Sequence, residues 1–278
     1  MRATTATMRR YWRQSPPLCI GTIILVLVTF ITIIAPLIAP YSPTEQNILF
    51  RLKPPSAAHW LGTDQFGRDV LSRVLIGGRS SFILGIGAIA LALAIGVPLG
   101  IAAGYFGGVI DDLLMRATDV FLSFPALLMA LLVITVMGAS IEHATLAIGI
   151  ANTPAIARVV RGTTLSVRNE EFVLAARVRG DSVLYTMFGE ILPNALPPVI
   201  VEGTIRIGFA MLAGAALSFL GLGVQPPQAD WGLMMRDARN YIMLSPWPLF
   251  APGVALAVTV VGLNLFGDGL SDVLGRKR

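Results

Sequence analysis

The chain has 278 residues, is 55% hydrophobic and only 13% charged, and carries a formal net charge of +5. Its mean hydropathy of +0.73 excludes an ordinary soluble globular domain. The basic residues stand between apolar blocks and at the chain ends, so they read as membrane topology rather than nucleic-acid binding. Cys19 is the single cysteine, which excludes an internal disulfide and a cysteine-based metal site. His59 and His143 are far apart, and no HExxH spacing exists.

Apolar residues arrive in blocks of about 20, the length that crosses a bilayer. Six such blocks predict an all-α integral membrane protein with six transmembrane helices. The first runs from Leu18 to about Ala39 behind Arg2, Arg9, Arg10 and Arg13. It is longer than a signal-peptide apolar region, which predicts an uncleaved anchor. The second runs from about Ser81 to Tyr105. Within it Ala92, Gly96, Gly100 and Gly104 recur every four residues. That spacing makes a small-residue groove for another helix, either of this chain or of a partner subunit. The third block runs from about Val120 to Met137. The fourth, about Ala144 to Val160, is the weakest and ends at Arg158 and Arg161, which can snorkel to the interface. The fifth runs from about Pro197 to Leu222 and the sixth from about Pro248 to Phe266.

Lys and Arg set the orientation. With the N-terminus inside, cytoplasmic segments hold Arg2, Arg9, Arg10, Arg13, Arg116, Arg158, Arg161, Arg168, Arg177, Arg179, Arg276, Lys277 and Arg278. Outer segments hold only Arg51, Lys53, Arg68, Arg73, Arg79, Arg236 and Arg239. Both termini are therefore expected in the cytoplasm. Trp12 and Trp247 fall at span ends, where indole rings prefer to sit.

Residues 162–194 form a polar stretch between the fourth and fifth spans. Glu170 to Arg179 lacks proline and glycine and predicts a short helix. Phe172, Ala175 and Ala176 fall at i, i+3 and i+4 and give it one small apolar face, rimmed by Arg168, Arg177 and Arg179. Gly180 is placed to end the helix, and Asp181 and Ser182 to cap the next. Pro193, Pro197 and Pro198 are expected to break the chain before the fifth span. Such a helix suits docking in a partner's groove; an amphipathic loop on the lipid surface is the plainer reading.

No GxxxxGK[ST] phosphate loop, nucleophile elbow, zinc motif or dinucleotide fingerprint occurs in the sequence. Ionisable residues deep in spans are limited to Glu202 and Arg206, with Asp119 and Asp268 at span ends. Glu202 and Arg206 stand at i and i+4 and can pair on one helix face. They are read either as an interfacial pair near the headgroups or as pore-facing contacts for a charged substrate.

Four separated motifs resemble the C-type permease subunit of the dipeptide, oligopeptide and nickel ABC importers. They are His59-Trp60-Leu61-Gly62-Thr63-Asp64-Gln65-Phe66-Gly67-Arg68-Asp69, then Leu217 to Gly223, Asp230-Trp231-Gly232, and Asn264 to Leu270. Residues 162–194 also resemble the EAA loop of such permeases. Leu174-Ala175-Ala176, Gly180 and Leu192-Pro193 stand at the family's spacing, with Leu174 where the family usually carries glutamate. The resemblance implies a type I ABC importer permease fold and a non-enzymatic subunit forming half of a translocation pore. It implies a division into 1–79, with the tail, first helix and outer loop, and 80–278, a five-helix core. The implied ATPase-coupling residues are Glu171, Leu174, Ala175, Ala176, Gly180, Leu192 and Pro193. Glu202 and Arg206 are candidates for the translocation path if they are not an interfacial pair, and His59, Trp60, Asp64 and Asp69 for a contact with the delivering protein or for a loop that braces the pore. The implied partners are a homologous second permease, two ATP-binding subunits, an extracytoplasmic substrate-binding protein and the lipid bilayer, with no nucleic acid. The chain itself binds no cofactor; ATP and Mg belong to the partner ATPases. The implied place is a bacterial or archaeal cytoplasmic membrane. Peptides lead as substrates, with glutathione or a nickel chelate behind them. An ion-coupled secondary transporter is the competing expectation.

Overall fold

The computed structural model describes residues 15–275. The basic tail with Trp12, and Arg276 to Arg278, lie outside the described residues. Among the described residues the chain is helical with no named strand; an isolated bridge joins Thr63 and Asp69.

Helix α1, Pro16–Ile38, starts on prolines that fit a first turn and carries no charge. It lies against the last helix, α9 (Trp247–Gly275), with Gly21 on the Phe266 backbone and Gly262 under Ile24. Most of the rest of α1 is exposed apolar surface, as a lipid-facing helix requires. Helix α2, Val70–Phe106, has 37 residues. At 1.5 Å per residue it spans roughly 55 Å, more than the ~30 Å hydrocarbon layer. It therefore ties the surfaces at its two ends together. Its first turn is capped by Asp69, which accepts from Ser72 N at 2.8 Å.

Helix α5, Ile141–Val167, packs along α2. The groove of small residues is filled from within the chain. A Cβ on Gly96 would meet Thr153 O, one on Gly100 would meet Ala157 O at 2.4 Å, and one on Gly104 would meet Thr164. The main core joins Leu84, Ala88, Ala92 and Ile101 of α2 to Ala147, Ile148, Ile156 and Val160 of α5. Val199, Ala210 and Leu217 of α7 (Leu192–Phe219) complete it.

Two expectations about the spans need correction. The third span is not one rod. Helices α3 (Gly108–Leu122) and α4 (Ala126–Met137) meet at a bend of 84°. Pro125 has no N–H and biases Phe124 away from helical angles, so the chain turns there. The prolines before the fifth span do not break the chain either. A turn at Val183–Tyr185 passes through a π-helical turn, Thr186–Ile191, into α7, Leu192–Phe219. Pro193 sits at the start of α7, where a missing donor is tolerated, and the π turn absorbs the mismatch.

Among the described residues four helices are long and apolar enough to cross a membrane, or five if the bent α3 and α4 pair is one span. Helix α5 has the length, 27 residues, but its polar side chains keep it outside that group, so the count of six is not reached on these grounds.

The loop 41–69 and α8, Trp231–Ala238, gather at the Val70 end of α2. Asp230 caps α8, accepts from Ser81 Oγ at 2.8 Å, and has its carboxyl pushed up by burial. Trp231 Nε1 donates to Val74 O at 2.9 Å. The stretch 168–193 gathers at the opposite, Phe106 end of α2. Residues 79 and 80 both lie inside α2.

Candidate functional site

Helix α6, Glu171–Val178, is held by its underside. Val173 is fully buried in a cluster with Val167 and Ile191, flanked by Tyr105 of α2, and Ala176 is equally buried. Arg177 lies over the Tyr105 ring at 4.9 Å, and Arg168 Nη1 donates to Gly104 O at 2.8 Å. These contacts fix α6 across the ends of α2 and α5.

The helix stops in a Schellman arrangement. Asp181 N donates to Ala176 O at 3.1 Å and Gly180 N to Arg177 O at 3.1 Å, with Gly180 at φ +80°. Ser182 caps the following turn by accepting from Tyr185 N. Arg179 bonds Asp181 at 2.8 Å and Glu190 at 3.2 Å, and these carboxylates push its pKa up. The link joins the end of α6 to the π turn.

The apolar face differs from the one expected. Ala176 turns inward, because the cluster around Val167 and Ile191 claims the side carrying Val173 and Ala176. The outward side carries Glu171, Leu174, Ala175 and Val178 at i, i+3, i+4 and i+7. Leu174 is 47% exposed and Val178 89%. Val178 escaped the sequence reading, although its four-residue spacing from Leu174 was the available signal. Leu192 is half-buried beside the main core, and Pro193 is exposed at the start of α7.

Glu202 and Arg206 do pair. Arg206 Nε donates to Glu202 Oε1 at 2.6 Å, and Nη1 donates to Asn152 Oδ1 of α5 at 3.3 Å. Asn152 is a second residue missed from the sequence; a primary amide in a span was its signal. The group lies near the middle of the 28 residues of α7 and the 27 of α5, away from either helix end.

In the loop at the other end, the four expected contact residues separate. Asp64 is 5% exposed and accepts from Phe66 N, Arg68 N and Arg68 Nε, the last at 2.6 Å. Asp69 is 3% exposed and joins its helix cap to a 2.9 Å contact with His59 Nδ1. Both carboxylates are occupied in folding the loop. Trp60 is 70% exposed and is the member of the set that faces outward.

Residues 96–278 match the model for "binding-protein-dependent transport system inner membrane component", and residues 5–55 the "N-terminal TM domain of oligopeptide transport permease C". The dipeptide transport system permease protein DppC of Alkalihalophilus pseudofirmus is 43% identical over 93% of this chain and 85% of its own length. The glutathione transport system permease protein GsiD of Pectobacterium atrosepticum is 38% identical over 97% of this chain and 89% of its own. Among solved structures, the inward-facing MetNI methionine ABC transporter matches with a TM-score of 0.59 and 18% identity, over 70% of this chain and 93% of that one.

Proposed function

The chain belongs to the family of binding-protein-dependent transport system inner membrane components, and from that membership we propose that it forms half of the pore of an ATP-driven peptide importer. It is a non-catalytic, multi-pass membrane permease subunit with the fold of ABC importer permeases, and ATP hydrolysis falls to separate ATPase subunits. Its relatives favour a di- or oligopeptide as the solute, with glutathione, itself a peptide, inside the same class. They do not favour the ion-coupled alternative.

The observation that carries the coupling role is α6: buried below through Val173 and Ala176, bare above through Leu174, Ala175 and Val178. Helix α6 seats in a groove of an ATPase subunit, which uses ATP and Mg. When the two ATPases close, α6 moves as a rigid body, and Arg168, Arg177 and Val173 carry the motion to α2 and α5. A homologous permease completes the pore, and an extracytoplasmic binding protein delivers solute beside Trp60. Both termini lie in the cytoplasm of a bacterial or archaeal cell.

The test is uptake of a labelled dipeptide by vesicles holding the complex, driven by ATP, with a cysteine at Leu174 crosslinked to the ATPase. Crosslinking and ATP-dependent uptake are the expected results. Uptake that proceeds without ATP and follows a proton or sodium gradient would refute the proposal.

A further inference from the structure

An ion pair inside a membrane-crossing helix is costly, and ionisable side chains in such helices face the bundle interior or a water-filled path rather than lipid. Glu202 and Arg206 retain 28% and 25% of their side-chain surface open, so the bundle of this chain does not enclose them. Phe209, one turn beyond Arg206 on the same side of α7, is exposed as well. The open side of α7 at this depth is therefore charged, and it must meet water, solute or a partner subunit.

We infer that Glu202 and Arg206 read the two charged termini of a peptide in transit, Glu202 taking the α-ammonium and Arg206 the α-carboxylate. This rests on the reading of the chain as half of a peptide importer's pore. A zwitterionic peptide crossing the membrane must keep both charges solvated at the depth where solvation is scarcest. An acid and a base one helical turn apart offer a counter-charge to each terminus at once. Asn152 holds the guanidinium from α5, which fixes its position between two helices. With no peptide present the two charges satisfy each other at 2.6 Å. Entry of a peptide exchanges one ion pair for two, and departure restores the first. Binding of this kind stays weak enough for release, as conduction demands.

The test uses the complete complex in lipid nanodiscs without nucleotide. Alanylalanine, its N-acetyl derivative and its carboxamide are titrated by saturation-transfer NMR. The wild type is expected to hold alanylalanine about tenfold more tightly than either blocked peptide, the size of one charge-assisted hydrogen bond. Glu202→Gln should erase the preference against the N-acetyl peptide alone, and Arg206→Gln the preference against the carboxamide alone. The double variant, which leaves no lone charge, should lose both preferences. Equal binding of the three peptides by the wild type, absence of binding, or equal loss for all three in each variant would overturn the inference. Uptake of alanylalanine and its two blocked forms by the same complex in sealed proteoliposomes, driven by ATP, separates the two levels. Uptake without terminus preference sinks only the inference; failure to import any peptide sinks the importer reading.

Discussion

Ala175 and Ala176 are adjacent in the chain and opposite in the structure: Ala175 is exposed on the outer side of α6, while Ala176 is fully buried beneath it. A substitution at each should therefore fail for a different reason. Ala176→Asp forces a carboxyl group into an apolar seat, where even the protonated form is an unpartnered polar group costing roughly 2–7 kcal/mol, and should lower the amount of folded subunit in the membrane. Ala175→Asp places the same group on the outer face. It should leave membrane levels normal while abolishing ATP-driven uptake. Immunoblotting of membranes alongside uptake distinguishes them.

Gly180 closes α6 at φ +80° with open space where a Cβ would stand. Its requirement is one of backbone angle, not of room. Gly180→Val should cost about 1–3 kcal/mol locally and disrupt coupling with little loss of membrane level. Gly180→Asn, which tolerates the left-handed region, should keep most of the uptake. Equal loss in both variants would show that the glycine serves something other than the turn.

Gly100 makes the opposite demand. Its Cβ would lie 2.4 Å from Ala157 O, so even Gly100→Ala pushes α5 away from α2. Overpacking of this kind costs about 1–3 kcal/mol, seen as a lower Tm of the detergent-solubilised complex.

Asp230 offers a test with a pH signature. Burial raises its carboxyl above the ordinary range while the carboxylate still caps α8. A carboxyl with a raised folded pKa binds more protons when folded, so its contribution to stability grows as pH falls through the raised value and levels off below about 4. Asp230→Asn keeps the cap and removes the titration. It should equal or exceed the wild type in Tm at neutral pH and fall behind it on acidification. Asp230→Ala loses the cap and the Ser81 partner and should be less stable by about 1–3 kcal/mol.

Much of the architecture was legible because its cause is one-dimensional. A run of about 20 apolar residues has few alternatives to a membrane helix, and α1, α2, α7 and α9 follow. The turn at Gly180 was legible for the same reason: a glycine after a helix-forming run needs no distant partner. Three-dimensional choices were not legible. Which side of α6 is buried depends on Val167 and Ile191, which flank it in sequence but meet it only after folding. Asp64 and Asp69 read as surface carboxylates until Arg68 and His59 close on them. Asn152 acquires meaning only opposite Arg206, 54 residues away. The prolines after residue 192 misled because Pro193 opens α7 directly after the π turn, while Pro197 and Pro198 are carried inside α7, as a membrane helix tolerates.

The central claim is that this chain is driven by ATPases it does not contain. Purification from its native membrane in mild detergent, with mass spectrometry of the proteins that accompany it, tests that most directly. The account predicts a second permease of the same family and one or two ATP-binding subunits. Recovery of this chain alone, in a preparation that still transports, would contradict it.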